Sequence, residues 1–163
     1  MCSGSKSSGF SKDGYVGSSK ITINTYGGIV GNIYGGSDSV GTCYGSTNIN
    51  LYDGEVKGNV YGGGKGGYTS TNDKGTYVAG DVTINVGLSA QALAEDVENI
   101  YCDADGNPKI TGNIYGGSAF GTVNGTTSNN THTNYKTKVI VNNAEIEGSQ
   151  GLQVREKPPP PLW

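Results

Sequence analysis

Arginine occurs once in this chain of 163 residues, as Arg155, and histidine once, as His132. Lysine and arginine together number 11 against 14 acids, a formal net charge of −3. No basic patch is available to displace counterions from phosphates, so nucleic acid is not an expected partner. Leucine, methionine and phenylalanine are scarce, which argues against a helical bundle, because bundles are built on leucine and alanine stripes. No apolar run approaches the roughly 20 residues that a membrane-spanning helix needs. Met1 to Phe10 is rich in Ser and Gly and has no apolar middle of the signal-peptide kind, so Cys2 does not read as a lipid-anchor site. The three cysteines, Cys2, Cys43 and Cys102, form neither an even disulfide framework nor a C-x-x-C metal motif. Cys43 is expected as a small buried hydrophobe.

What the chain does contain is glycine, at 29 residues, and tyrosine, at 11, among many Ser, Thr and Asn. That balance fits short strands joined by glycine turns. The heptapeptide GNIYGGS stands at residues 31–37 and again at 112–118, with GNVYGGG at 58–64, so the copies begin 27 and then 54 residues apart. Period-two alternation puts Ile29, Gly31 and Ile33, Val56, Gly58 and Val60, and Ile110, Gly112 and Ile114 on one face. The other face takes Asn32 and Tyr34, Asn59 and Tyr61, and Asn113 and Tyr115. Lys57, Thr111 and Glu147 share a register on that second face, so it is expected to look outward. A broken fourth copy begins at Ile146.

Further strand signals recur between the copies: Ile21-Thr-Ile-Asn, Asn48-Ile-Asn-Leu, Val82-Thr-Ile-Asn and Val139-Ile-Val-Asn. A third pattern is Val40-Gly-Thr-Cys and Phe120-Gly-Thr-Val. One such unit cannot bury its apolar face, whereas units stacked in register can. The expected fold is therefore all-β: a right-handed parallel β-helix, or solenoid, of about three to four coils of roughly 27 residues, with one short helical insertion. Leu88 to Tyr101 is the helix candidate, with Ser89 as N-cap and an apolar stripe of Ala90, Leu93, Ala94, Val97 and Ile100. The stretches 68–77 and 124–135 read as polar loops. Residues 1–20 read as a Ser/Gly-rich lead-in, 21–150 as the repeat domain, and 151–163 as a proline-rich tail.

From Ile21 to Gly148 the Gly-Asn-Ile/Val-Tyr-Gly-Gly units and their Thr-Ile-Asn strands resemble the glycine-rich repeat regions of large bacterial adhesin-like surface proteins. The resemblance implies an exported, extracellular or cell-surface stalk or binding surface, a parallel β-helix, and no catalytic residues. It also implies that neighbouring coils of a longer chain continue the stack, with this chain an excerpt.

Three candidate sites follow. Tyr34, Tyr61 and Tyr115 rise on one outer face, where aromatic rings could stack on the pyranose rings of a polysaccharide or host-surface glycan. The competing reading is cross-strand stabilisation of the sheet. The Asn32, Asn59 and Asn113 row is expected to serve structure, through amide hydrogen bonds between copies. Asp103, Asp105 and Asn107 occupy the first, third and fifth positions of an EF-hand-like spacing and are the candidate calcium ligands. Pro108 stands where the sharp-turn glycine belongs and Ile114 where the bidentate Glu belongs, which favours a plain polar turn and no cofactor. His132 sits in a Thr/Asn stretch without a partner spacing, and none of Asp38, Asp53, Asp81 or Glu55 is expected to recur in one register with another acid. The expected protein is not an enzyme. A polysaccharide lyase- or hydrolase-like β-helix and a phage or viral fibre segment are the alternatives.

Overall fold

A computed structural model describes residues 14–16, 20–67, 75–96, 98–127, 130–131 and 134–148. His132, the proline-rich tail and residues 1–13 lie outside these. In chain order the strands are β1 (Gly14–Val16), β2 (Ile21–Val30), β3 (Ile33–Tyr34), β4 (Gly41–Cys43), β5 (Thr47–Val56), β6 (Val60–Tyr61), β7 (Thr76–Val78) and β8 (Val82–Val86). One helix among the described residues, α1 (Ala90–Ala94), precedes β9 (Lys109–Ile110), β10 (Ile114–Tyr115), β11 (Gly121–Val123), β12 (Gly125–Thr127), β13 (Asn130–Thr131), β14 (Thr137–Val141) and β15 (Glu145–Ile146). No helix among the described residues is long and apolar enough to cross a membrane.

The repeated sequences pair with one another. β10, β6 and β3 form a parallel three-stranded sheet in which Ile33, Val60 and Ile114 are in register, as are Tyr34, Tyr61 and Tyr115. The Thr-Ile-Asn strands form the parallel run β2, β5, β8, β14, giving rows Ile23–Ile49–Ile84–Val139 and Thr25–Leu51–Val86–Val141. β9 pairs with the end of β5, and β15 with β9, which adds the row Val30–Val56–Ile110–Ile146. The third pattern lies in a four-stranded sheet of order β1-β4-β7-β11.

Burial follows the alternation. Ile33, Ile49, Leu51, Val56, Val60, Ile84, Val86 and Ile110 make one buried cluster. Cys43, Val78 and Val82 make another, so Cys43 is buried as its small apolar character requires. Its burial pushes the thiol above the ordinary range, although backbone hydrogen bonding at Gly45 pulls the other way.

The expectation of a right-handed solenoid of regular coils is corrected. The chain is all-β and mostly parallel, with almost no helix, but its strands gather in several small separate sheets, one of them curled like a half-barrel. The units are too unequal to make a uniform coil. Strands run from two to ten residues, the β2–β5 pairing shifts register twice, and β12–β13 is an antiparallel pair.

Four local expectations also change. The helix stops at Ala94 with no buried residue, because the Asp96 carboxylate takes the N–H groups of Ile100 and Tyr101 and turns the chain. Val97 lies outside the described residues. The stretch read as a polar loop before Tyr77 ends in β7, whose Thr76-Tyr-Val fills the place between β4 and β11. The second polar loop contains β12 and β13. The strand Gly14–Val16 falls within the segment read as a lead-in and pairs with β4.

Candidate functional site

The motif Gly-Asn-Ile/Val-Tyr-Gly-Gly is explained position by position where its copies meet. The Asn32 carboxamide oxygen accepts the backbone N–H of Asn59 at 2.7 Å, and the Asn59 oxygen accepts that of Asn113 at 2.8 Å. The side-chain amide of one copy thus holds the main chain of the next, and Asn113 Nδ2 also donates to Asn59 Oδ1 at 3.4 Å, so the amide hydrogen bonds expected between copies are present. Glycine precedes Asn59 and Asn113 because the amide of the preceding copy reaches past it: a Cβ at Gly112 would lie 2.6 Å from the Asn59 amide oxygen, whereas one at Gly31 would meet nothing within 4 Å. The glycine after the tyrosine is set by approach as well, since a Cβ at Gly62 would lie 2.7 Å from the Gly116 carbonyl oxygen.

With the backbones so fixed, the tyrosines stack. The rings of Tyr34 and Tyr61 lie with centroids 5.1 Å apart and planes 4° apart; those of Tyr61 and Tyr115 are 5.0 Å and 13° apart. Asn59 Nδ2 donates to the Tyr61 hydroxyl at 3.2 Å. Tyr115 is exposed at 43%, while Tyr34 and Tyr61 are half-buried. The stack limits what the row can hold. A sugar ring sandwiched between two aromatic rings needs van der Waals contact of roughly 3.5–4 Å on each side. The observed spacing leaves no such gap, so a sugar can lie only along an edge of the row or on the outer face of a terminal ring, of which Tyr115 is the more exposed.

A second, tighter amide ladder stands on the Thr-Ile-Asn strands. Asn50 Nδ2 donates to Asn24 Oδ1 at 2.8 Å, and Asn85 Nδ2 to Asn50 Oδ1 at 2.7 Å. Asn24 Nδ2 also reaches the Tyr26 hydroxyl at 3.2 Å. Beside it Tyr26, Tyr52 and Tyr101 form a second aromatic group, with tilted contacts at 5.3 Å and 4.9 Å. Burial, and then the neighbouring Tyr26 and Tyr101 phenols, push the Tyr52 hydroxyl above its usual range. Tyr101 enters this group from the segment after α1, a contact between stretches far apart in sequence that period counting cannot reveal.

The candidate calcium residues form a turn. Asp105 Oδ1 accepts the N–H of Asn107 at 2.8 Å, which is an Asx turn. The N–H of Asp103, at φ 59°, donates to Asn99 Oδ1 at 2.7 Å. Among the described residues no group of three or more His, Cys, Asp or Glu side chains gathers as a metal site. The Asp105 carboxylate is occupied in closing the turn, and its N–H points to Asp53 Oδ2 at 3.4 Å. Comparison with known protein families, characterised proteins and solved structures finds no match for this chain.

Proposed function

We propose that this chain is a non-catalytic structural and adhesive segment of a bacterial surface or secreted protein, receiving carbohydrate along its outer tyrosine row. The supporting observation is the continuous stack of Tyr34, Tyr61 and Tyr115, which ends in a ring that is 43% exposed. Tyr34 and Tyr61 give the platform rigidity and a line of hydroxyl groups. Tyr115 supplies the apolar face on which a pyranose lies. The polar surroundings, which are amides and hydroxyls with few charges, suit a neutral or weakly charged glycan.

The test is titration of soluble pyranose polysaccharides into the chain, followed by calorimetry. Tyr115→Ala is expected to lose at least about tenfold in affinity, equivalent to ~1.4 kcal/mol. Replacing all three tyrosines by alanine abolishes the heat. Unchanged binding in the triple variant overturns the glycan reading. New reducing or unsaturated ends in the incubated polysaccharide overturn the non-catalytic one.

A further inference from the structure

The rows of the parallel sheets are buried in the middle and open at the outside. Ile84, Val86 and Ile110 are 0% exposed, yet their partners on the next strand, Val139, Val141 and Ile146, are exposed at 42%, 51% and 42%. These side chains point where the core points; they are uncovered because no described strand lies beyond β14 and β15. At the opposite edge β2 is equally open, with Ile21, Ile23 and Val30 only half-buried and Ile29 69% exposed. An open edge of this length, carrying apolar side chains, is a template for a further strand.

The two edges match each other. β2 and β14 both pair in parallel within the same run, so a second copy translated along the sheet presents β2 to β14 with the correct polarity. Continuing the existing register sets Ile21 on Thr137, Ile23 on Val139, Thr25 on Val141 and Val30 on Ile146. The two parallel runs also end together. β1 lies beyond β4 as β2 lies beyond β5, and β11 lies beyond β7 as β14 lies beyond β8. A copy seated with β2 on β14 therefore brings its β1 alongside β11, so both runs continue across the same junction.

We propose that this chain associates with a second copy of itself, head to tail, through β2 of one copy and β14–β15 of the other. Such a contact joins two different surfaces, so it leaves an open edge at each end and propagates. It covers Val139, Val141 and Ile146 and satisfies the backbone groups of both edges. It also places Lys20 near Lys136, both exposed, so added salt strengthens it.

The experiment uses the full chain and two edge variants: Val139→Lys with Val141→Lys, which blocks β14, and Ile23→Lys, which blocks β2. Sedimentation equilibrium should show the wild type rising with concentration to at least twice its 16.8 kDa mass. Each variant alone should stay at the monomer mass with an unchanged far-UV circular dichroism spectrum. Mixed together, they should form a dimer and stop, because one retains an open β2 and the other an open β14. Three results overturn the proposal: a wild type that stays monomeric, a β2-blocked variant that still self-associates (edge-to-edge pairing of β14 with β14), or a mixture of folded variants without a dimer. If a lysine variant loses its spectrum, Val141→Thr and Thr25→Lys replace it at the two edges under the same criteria.

Discussion

At the scale of single residues, the asparagine of the repeat carries more than its polar character suggests. Each carboxamide oxygen holds the main-chain N–H of the next copy, and this contact is made twice, across 27 and then 54 residues. Asn59 is the shared member, because it donates its own N–H to Asn32 and accepts that of Asn113. Asn59→Ala removes the acceptor that holds the half-buried Asn113 N–H, together with the amide contact to the Tyr61 hydroxyl. The expected loss is about 1–2 kcal/mol, read as a lower urea midpoint at constant m-value. Asn59→Asp keeps an acceptor oxygen at the same reach and is expected to recover most of it. Equal losses in both variants would show that the amide oxygen is not what joins the copies.

At the scale of elements, β3, β6 and β10 are each only two residues long, too short to hold a sheet by backbone bonds alone. Their stability depends on the side chains beneath and above them: Ile33 and Val60 buried inside, the tyrosine stack outside. Tyr61 contacts two rings and Tyr34 one, and an aromatic pair contributes about 0.5–1.5 kcal/mol beyond its buried area. Tyr61→Ala is thus expected to cost roughly twice as much as Tyr34→Ala in stacking, about 1–3 kcal/mol. Tyr61→Phe loses only the Asn59 contact. Thermal unfolding of the three variants gives the order, and equal losses for Tyr61→Ala and Tyr34→Ala would remove the stack as the cause. The register of these strands was legible in the sequence, because the copies are nearly identical and side-chain alternation is strict. β7 was not, because its Gly75-Thr76 pair stands one residue out of step, with Thr76 rather than Gly75 beside Gly41 and Gly121. The early end of α1 was hidden for a related reason: the apolar spacing continues past Ala94, and only the Asp96 carboxylate, by taking two N–H groups, breaks it.

At the scale of the whole molecule, the repeat makes like pair with like in parallel, and sequence period alone conveys that much. It does not convey closure into regular coils. Closure depends on the lengths of the intervening segments, and these differ: the third copy of the motif follows the second by twice the first interval, with α1 and the Asx turn at Asp105 between them. The candidate site was legible to the same degree. The stacking of Tyr34, Tyr61 and Tyr115 follows from register, but the coverage of one ring's face by the next depends on a spacing that only coordinates supply. The consequence for stability is a gradient across the sheets. β5 lies between β2 and β8, and β8 between β5 and β14, with Ile49, Leu51, Ile84 and Val86 wholly buried. Among the described strands β2 and β14 each have one partner, and most of their residues are uncovered, six of ten in β2 and four of five in β14. Local opening of an edge strand exposes far less apolar surface than opening a central one, so protection should fall from the centre outwards. In hydrogen exchange on a sample dilute enough to remain monomeric, the amides of residues 49–51 and 84–86 should exchange at least about a hundredfold more slowly than those of 139–141, a difference of ~2.7 kcal/mol. Uniform exchange across all four strands would mean that the sheets open as one unit. In that case the edges are not frayed, and the exposed valines of β14 are held by contacts within the chain.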